Sequence, residues 1–82
     1  MGKQQRLLLQ ILRGTSDSNT AFEDLCGLLC HLGFERRTRG SHHVFRKSGV
    51  AELINLQKDG AQAKAYQVRQ VRAVILKYRL GD

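Results

Sequence analysis

The stretch FERRTRGSHHVFRKSGVAELINLQ, residues 34–57, decides how this chain folds. It breaks twice at small turn-forming pairs, Gly40-Ser41 and Ser48-Gly49. Three short runs remain, over residues 34–39, 42–47 and 50–57. Runs of this length split by tight glycine turns predict three strands in an antiparallel meander. Successive side chains of a strand point to opposite faces. His42, Val44 and Arg46 therefore share one face, and His43, Phe45 and Lys47 the other. The bulky Phe45 belongs on a covered face, which puts His43 beneath the helices and His42 on the open side.

Outward from this stretch the apolar period changes to that of a helix. Phe22, Leu25, Leu29 and Leu32 recur at three- and four-residue steps, with Cys26 beside them. They predict a helix over residues 20–32, with Thr20 and Glu23 as a capping box and Gly33 as the stop. Val68, Val71, Ile75 and Tyr78, widened by Val74, predict a second helix over residues 66–80, ending at Gly81. Gln67, Arg69, Gln70, Arg72, Lys77 and Arg79 are expected to cover its outer side. Residues 58–64, with Asp59-Gly60, read as a loop. At the start, Leu8, Ile11 and Leu12 form the stripe of a short helix over residues 1–13, followed by a polar linker over residues 15–20. The expected organisation is an N-terminal extension, residues 1–19, and a domain over residues 20–82. Its expected fold class is α+β, a two-layer sandwich of helix, three antiparallel strands and helix, with the extra N-terminal helix and one sheet face open.

Composition narrows the function. The chain has 82 residues, 14 Lys+Arg against 7 Asp+Glu, and a formal net charge of +7. One small domain of this size buries roughly 60% of its unfolded surface. A deep cofactor pocket, a Rossmann unit or a barrel does not fit in it, and no cofactor is expected. The positive charge implies an anionic partner, with nucleic acid first, an acidic protein second and a membrane surface third. No apolar run is long enough to span a membrane and no cleavage-site pattern is present, so a soluble, cytoplasmic protein is expected. Cys26 and Cys30 stand alone in a leucine-rich helix and read as two buried thiols, not as metal ligands.

The carboxylates Asp17, Glu23, Asp24, Glu35, Glu52, Asp59 and Asp82 show no pairing suited to acid–base work or to a divalent metal, so no metal site is expected. His31 falls in the last turn of its helix, where a cation complements the dipole. His42 and His43 follow the Gly40-Ser41 turn among Arg36, Arg37, Arg39 and Arg46. An imidazole titrates near neutrality and can move a proton, and arginines can hold a phosphate and its developing charge. RNA carries its own nucleophile, the 2′-hydroxyl, so a phosphodiester cleavage of this kind needs no metal. The residues alone leave two readings of the pair: packing and hydrogen bonding, or chemistry. Lys58 and Lys64, flanking Gly60 ahead of the last helix, suit either a phosphate site at a helix N-terminus or a solvated loop.

At Gly40-Ser41-His42-His43-Val44-Phe45 the chain resembles the HicA family, the ribonuclease toxins of HicAB toxin–antitoxin systems. Residues 22–34 resemble the family's first helix with its Leu-Gly-Phe ending, residues 36–39 the basic strand, residues 50–57 the third strand and residues 68–80 the closing helix. Residues 1–19 precede the family's usual first helix, and residues 58–64 lack the His-Pro-type residues often seen there. The resemblance covers residues 20–80. It implies a double-stranded-RNA-binding-domain-like fold, mRNA cleavage as the activity and a HicB-type antitoxin as the partner. It also implies His42, straight after Gly-Ser, as the catalytic residue.

The resulting expectation is a toxin of a type II toxin–antitoxin system. It would be a metal-independent endoribonuclease (an mRNA interferase) with His42 as general acid/base. Gly40 and Ser41 would form the turn that aims it. Arg39, Arg46, Lys58 and Lys64 would contact phosphate. The alternatives are a double-stranded-RNA-binding module that does not cleave, and a protein-interaction domain that binds an acidic partner.

Overall fold

The computed structural model describes residues 2–15 and 17–81. The parts of the expected N-terminal helix and linker at Met1 and Ser16, and the carboxylate of Asp82, lie outside them. Helix α1 (Lys3–Arg13) leads through a 3-10 turn (Asp17–Asn19) to α2 (Phe22–His31). Strands β1 (Glu35–Arg39), β2 (His42–Arg46) and β3 (Ile54–Leu56) follow, then β4 (Lys58–Asp59), β5 (Gln62–Ala63) and α3 (Ala65–Tyr78). The architecture is α+β, with three helices and an antiparallel sheet in the order β1-β2-β3.

The register of β1 on β2 pairs Arg39 with His42 and leaves Gly40-Ser41 as a two-residue connection. Gly40 takes φ +60 while Ser41 stays out of the left-handed region, the pattern of a II′ hairpin turn with glycine first. On the other side of β2, Val44 pairs with Asn55 and Phe45 with Ile54. Phe45, Ile54 and Leu56 are fully buried on the face beneath the helices. They join Phe22, Leu25, Leu28 and Leu29 of α2, Val68, Val71 and Ile75 of α3, and Leu8 and Ile11 of α1 in one hydrophobic core. The N-terminal helix is thus part of the same core as the sheet.

Several local expectations are corrected. Helix α2 starts at Phe22, and its N-cap is Ala21, one residue after the expected Thr20, with no side-chain cap of its own. The Phe22 N–H instead donates to the Ala61 carbonyl at 3.0 Å, and Ala63 N–H donates to the Thr20 carbonyl at 2.9 Å. This contact exists because residues 58–63 are a small hairpin, with Lys58 opposite Ala63 and Asp59 opposite Gln62, not a loop. Strand β3 is shorter than the expected 50–57 because α3 engages the residues before it. The Tyr78 hydroxyl accepts from Ala51 N–H at 3.2 Å and donates to Glu52 at 2.6 Å, and Lys77 Nζ donates to Glu52 at 3.0 Å.

Helix α3 ends at Tyr78, and its left-handed cap is Arg79 at φ +54, not Gly81. Leu80 turns back, its N–H donating to the Ile75 carbonyl at 3.0 Å, and packs against the core. Arg72, expected on the solvated side, donates from Nε to the Ile11 carbonyl at 2.8 Å and pairs with Asp17. It therefore caps the C-terminus of α1. Cys26 is buried, but Cys30 is exposed. Each four-residue step on a helix advances about 40° past a full turn, which carries Cys30 off the edge of the apolar stripe. Among the described residues no helix is long and apolar enough to cross a membrane.

Candidate active site

Strand alternation separates the two histidines. His42 is exposed on the open face, and Arg39 is its cross-strand partner next to the turn. The amide nitrogen of Gln57 lies 3.3 Å from Nδ1 and 3.4 Å from Nε2 of His42. Gln57 in turn is held from behind. Gln67, in the first turn of α3, is 1% exposed. Its amide nitrogen faces the Gln57 carbonyl at 3.2 Å and its oxygen faces the Gln57 N–H at 3.1 Å. The expectation that Gln67 covers the outer side of the helix is therefore corrected. It lies four residues before Val71 and eight before Ile75, on the buried stripe, and that spacing was the signal for it. Gln57 carries no such signal, because its role depends on meeting residues ten and fifteen positions away.

His43 is half-buried beneath the helices. Its ring meets Phe22 edge-on, with centroids 4.9 Å apart at 69°. Nδ1 lies 3.0 Å from Arg36 and 3.3 Å from the Thr38 hydroxyl. Arg36 can only donate, so Nδ1 accepts and the ring proton sits on Nε2. Burial, and then the Arg36 charge, hold the His43 pKa below the usual histidine value, while Glu23 acts in the opposite sense. His43 is a packed, neutral ring with a fixed tautomer. His42 is exposed, with the Gln57 amide beside its ring nitrogens.

The expected phosphate contacts fall into two groups. Arg39 and Arg46 lie on the open face with His42, joined there by Arg37. Four residues separate His42 from Arg46, about 13 Å along the strand, so the two address different points of an extended ligand. Lys58 is elsewhere, with its ammonium 5.7 Å from the Phe22 ring centroid on the helix side near His43. Lys64 is the N-cap residue of α3, and its carbonyl accepts from Gln67 and Val68 N–H at 2.9 and 3.2 Å. Arg36 stacks 5.9 Å over Phe45 and lies 3.6 Å from Glu23, so it is already engaged.

No protein-family model, curated protein or solved structure matches this chain. Burial pushes the Cys26 thiol up to about 11, which keeps it protonated and unreactive. Among the described residues, no three His, Cys, Asp or Glu side chains gather into a group that could hold a metal ion. The open face carries the His42 imidazole beside cations that, among the described residues, form no ion pair.

Proposed function

We propose that this protein is a small endoribonuclease of the HicA type, the toxin of a type II toxin–antitoxin system, with a double-stranded-RNA-binding-domain-like arrangement. The observation that carries the reading is the exposed His42 ring on the sheet face that also holds Arg37, Arg39 and Arg46. The 2′-hydroxyl of a bound RNA attacks the adjacent phosphorus. The 2′-O–P bond forms, the P–O5′ bond breaks, and the products are a 2′,3′-cyclic phosphate and a 5′-hydroxyl. His42 assists by accepting the proton of the 2′-hydroxyl or by donating one to the leaving O5′. Arg39, next to the Gly40-Ser41 turn, stands where it can offset charge on the phosphate oxygens. The Gln57 amide, donating to an unprotonated ring nitrogen, orients the ring. A HicB-type antitoxin covering this face would hold the toxin inactive.

The test uses purified wild type and His42→Ala on a labelled single-stranded transcript in EDTA. Wild type should leave cyclic-phosphate ends, and the alanine variant should be about 10²–10⁴-fold slower, the usual contribution of general acid–base catalysis. Equal cleavage by both proteins refutes the assignment of His42. Tight duplex binding with no cleavage by either supports the non-catalytic module instead.

A further inference from the structure

The open sheet face is a three-by-three array. Strand alternation places Glu35, Arg37 and Arg39 of β1 beside His42, Val44 and Arg46 of β2, and Asn55 of β3 between its neighbours Leu53 and Gln57. Val44 and Leu53 floor a depression of about 320 Å³ walled by Arg37, Arg39 and Arg46. A second depression, about 410 Å³, continues past Arg46 and Leu53 to Lys47 and Ser48. Leu53 is 61% exposed. Among the described residues Arg37, Arg39 and Arg46 take part in no ion pair or side-chain hydrogen bond. The face thus carries three arginines with free donors around an apolar floor, and one carboxylate at its far corner.

We infer that this face is a track for single-stranded RNA, running from the Arg46–Leu53 end to His42. The inference rests on the nuclease reading for its occupant and names which surface the substrate uses. Arg37 and Arg39 are two residues apart on one strand, a repeat of about 7 Å. That is close to the phosphate-to-phosphate step of an extended nucleic-acid strand. Val44 and Leu53 offer an apolar surface to the flat side of a base, and the exposed Asn55 amide offers a donor and an acceptor to a base edge. Strand β2 is about 13 Å from end to end, room for two or three nucleotides. An acidic peptide would satisfy the arginines but would leave the Leu53–Val44 floor without an apolar partner. RNA satisfies both. On this assignment Lys58, against Phe22 on the helix side, and Lys64, at the N-cap of α3, are not part of the track.

The experiment is a fluorescence-anisotropy titration with a labelled single-stranded oligoribonucleotide at several salt concentrations. The His42→Ala background keeps the RNA intact. Arg37→Gln/Arg46→Gln removes two track cations, and Lys58→Gln/Lys64→Gln removes the off-track pair. The track pair should weaken binding about tenfold or more and lower the salt slope by about 1.4, the value for two phosphate contacts on a single strand. The off-track pair should stay within about twofold of the parent. The inference is overturned if the off-track pair carries the loss, if an RNA duplex binds more tightly than the single strand, or if a glutamate-rich peptide binds where RNA does not. Binding on the track with no cleavage by the wild-type protein would sink the nuclease reading and leave the inference standing. Full cleavage by Arg37→Gln/Arg46→Gln would do the reverse.

Discussion

Replacing Gln67 by methionine tests whether a buried amide on α3 organises the site. Methionine preserves the length of the side chain and its burial but removes both amide groups. The Gln57 N–H and C=O, now 3.1 and 3.2 Å from that amide, lose their partners. Each such bond contributes a net 0.5–1.5 kcal/mol or so, and a stranded polar group costs more. Gln57 is only partly buried, so water can reach one of its groups and the larger figure does not apply to both. The expected loss is about 2 kcal/mol, against a total of about 4–12 kcal/mol for a chain this size. With a urea slope near 1 kcal/mol/M, the midpoint falls by about 2 M while the slope stays constant. Far-UV circular dichroism in urea measures this directly. Gln57→Ala is the companion variant. It leaves the clamp on the backbone intact and removes only the amide beside His42, so stability should change by less than about 0.5 kcal/mol. In both variants the nitrogen NMR signals of the His42 ring should shift. A Gln67→Met midpoint within about 0.5 M of wild type would refute the clamp.

Two further outcomes follow from the same contacts. The His43 pKa is lowered in the fold, so the unfolded chain binds more protons as pH falls. The stability it contributes is complete above the ordinary histidine value and is lost as pH drops from there toward the lowered value. Urea midpoints of wild type should decline over that range, and those of His43→Gln should decline less; parallel curves would contradict the assignment. Arg79 holds a left-handed conformation that costs a residue with a Cβ about 1–2 kcal/mol. Arg79→Gly should raise stability by about 1 kcal/mol and the melting temperature by about 4–8 °C; an unchanged or lower melting temperature speaks against strain there.

The elements legible in the sequence are those whose signals are local. The Gly40-Ser41 turn, the alternation through His42–Arg46 and the stripe Val68–Val71–Ile75 each sit within one element, and the structure places all three as read. What was not legible depends on residues distant in sequence. Arg72 looks solvated until Asp17 and the end of α1 arrive from 55 and 61 positions away. The hairpin at residues 58–63 has a turn signal in Asp59-Gly60, but its flanks are too short and polar to show a strand period. Its reason to form is the N-terminus of α2, whose Phe22 N–H it satisfies. Of the candidate site, the separation of His42 from His43 was readable from Phe45. The division of the cations was not, because Lys58 is one residue from Gln57 in sequence and faces the other side of the molecule.

The separation of the histidines also explains why the turn matters as much as the ring it presents. Side chains alternate with a period of two, so a slip of one residue in β2 would exchange the two faces. Phe45 would move into solvent and His42 would meet Phe22. Burying a phenylalanine is worth about 1.5–3 kcal/mol, and the slip would also unpair Phe45 from Ile54 and His43 from Leu56. The register is therefore held by core packing on one face, and the face on which His42 stands depends on it. The two-residue turn with Gly40 at positive φ sets Arg39 directly opposite His42. A site built this way needs no deep pocket. A chain of 82 residues can fix the His42 ring on its open sheet face because its core packs against the opposite face.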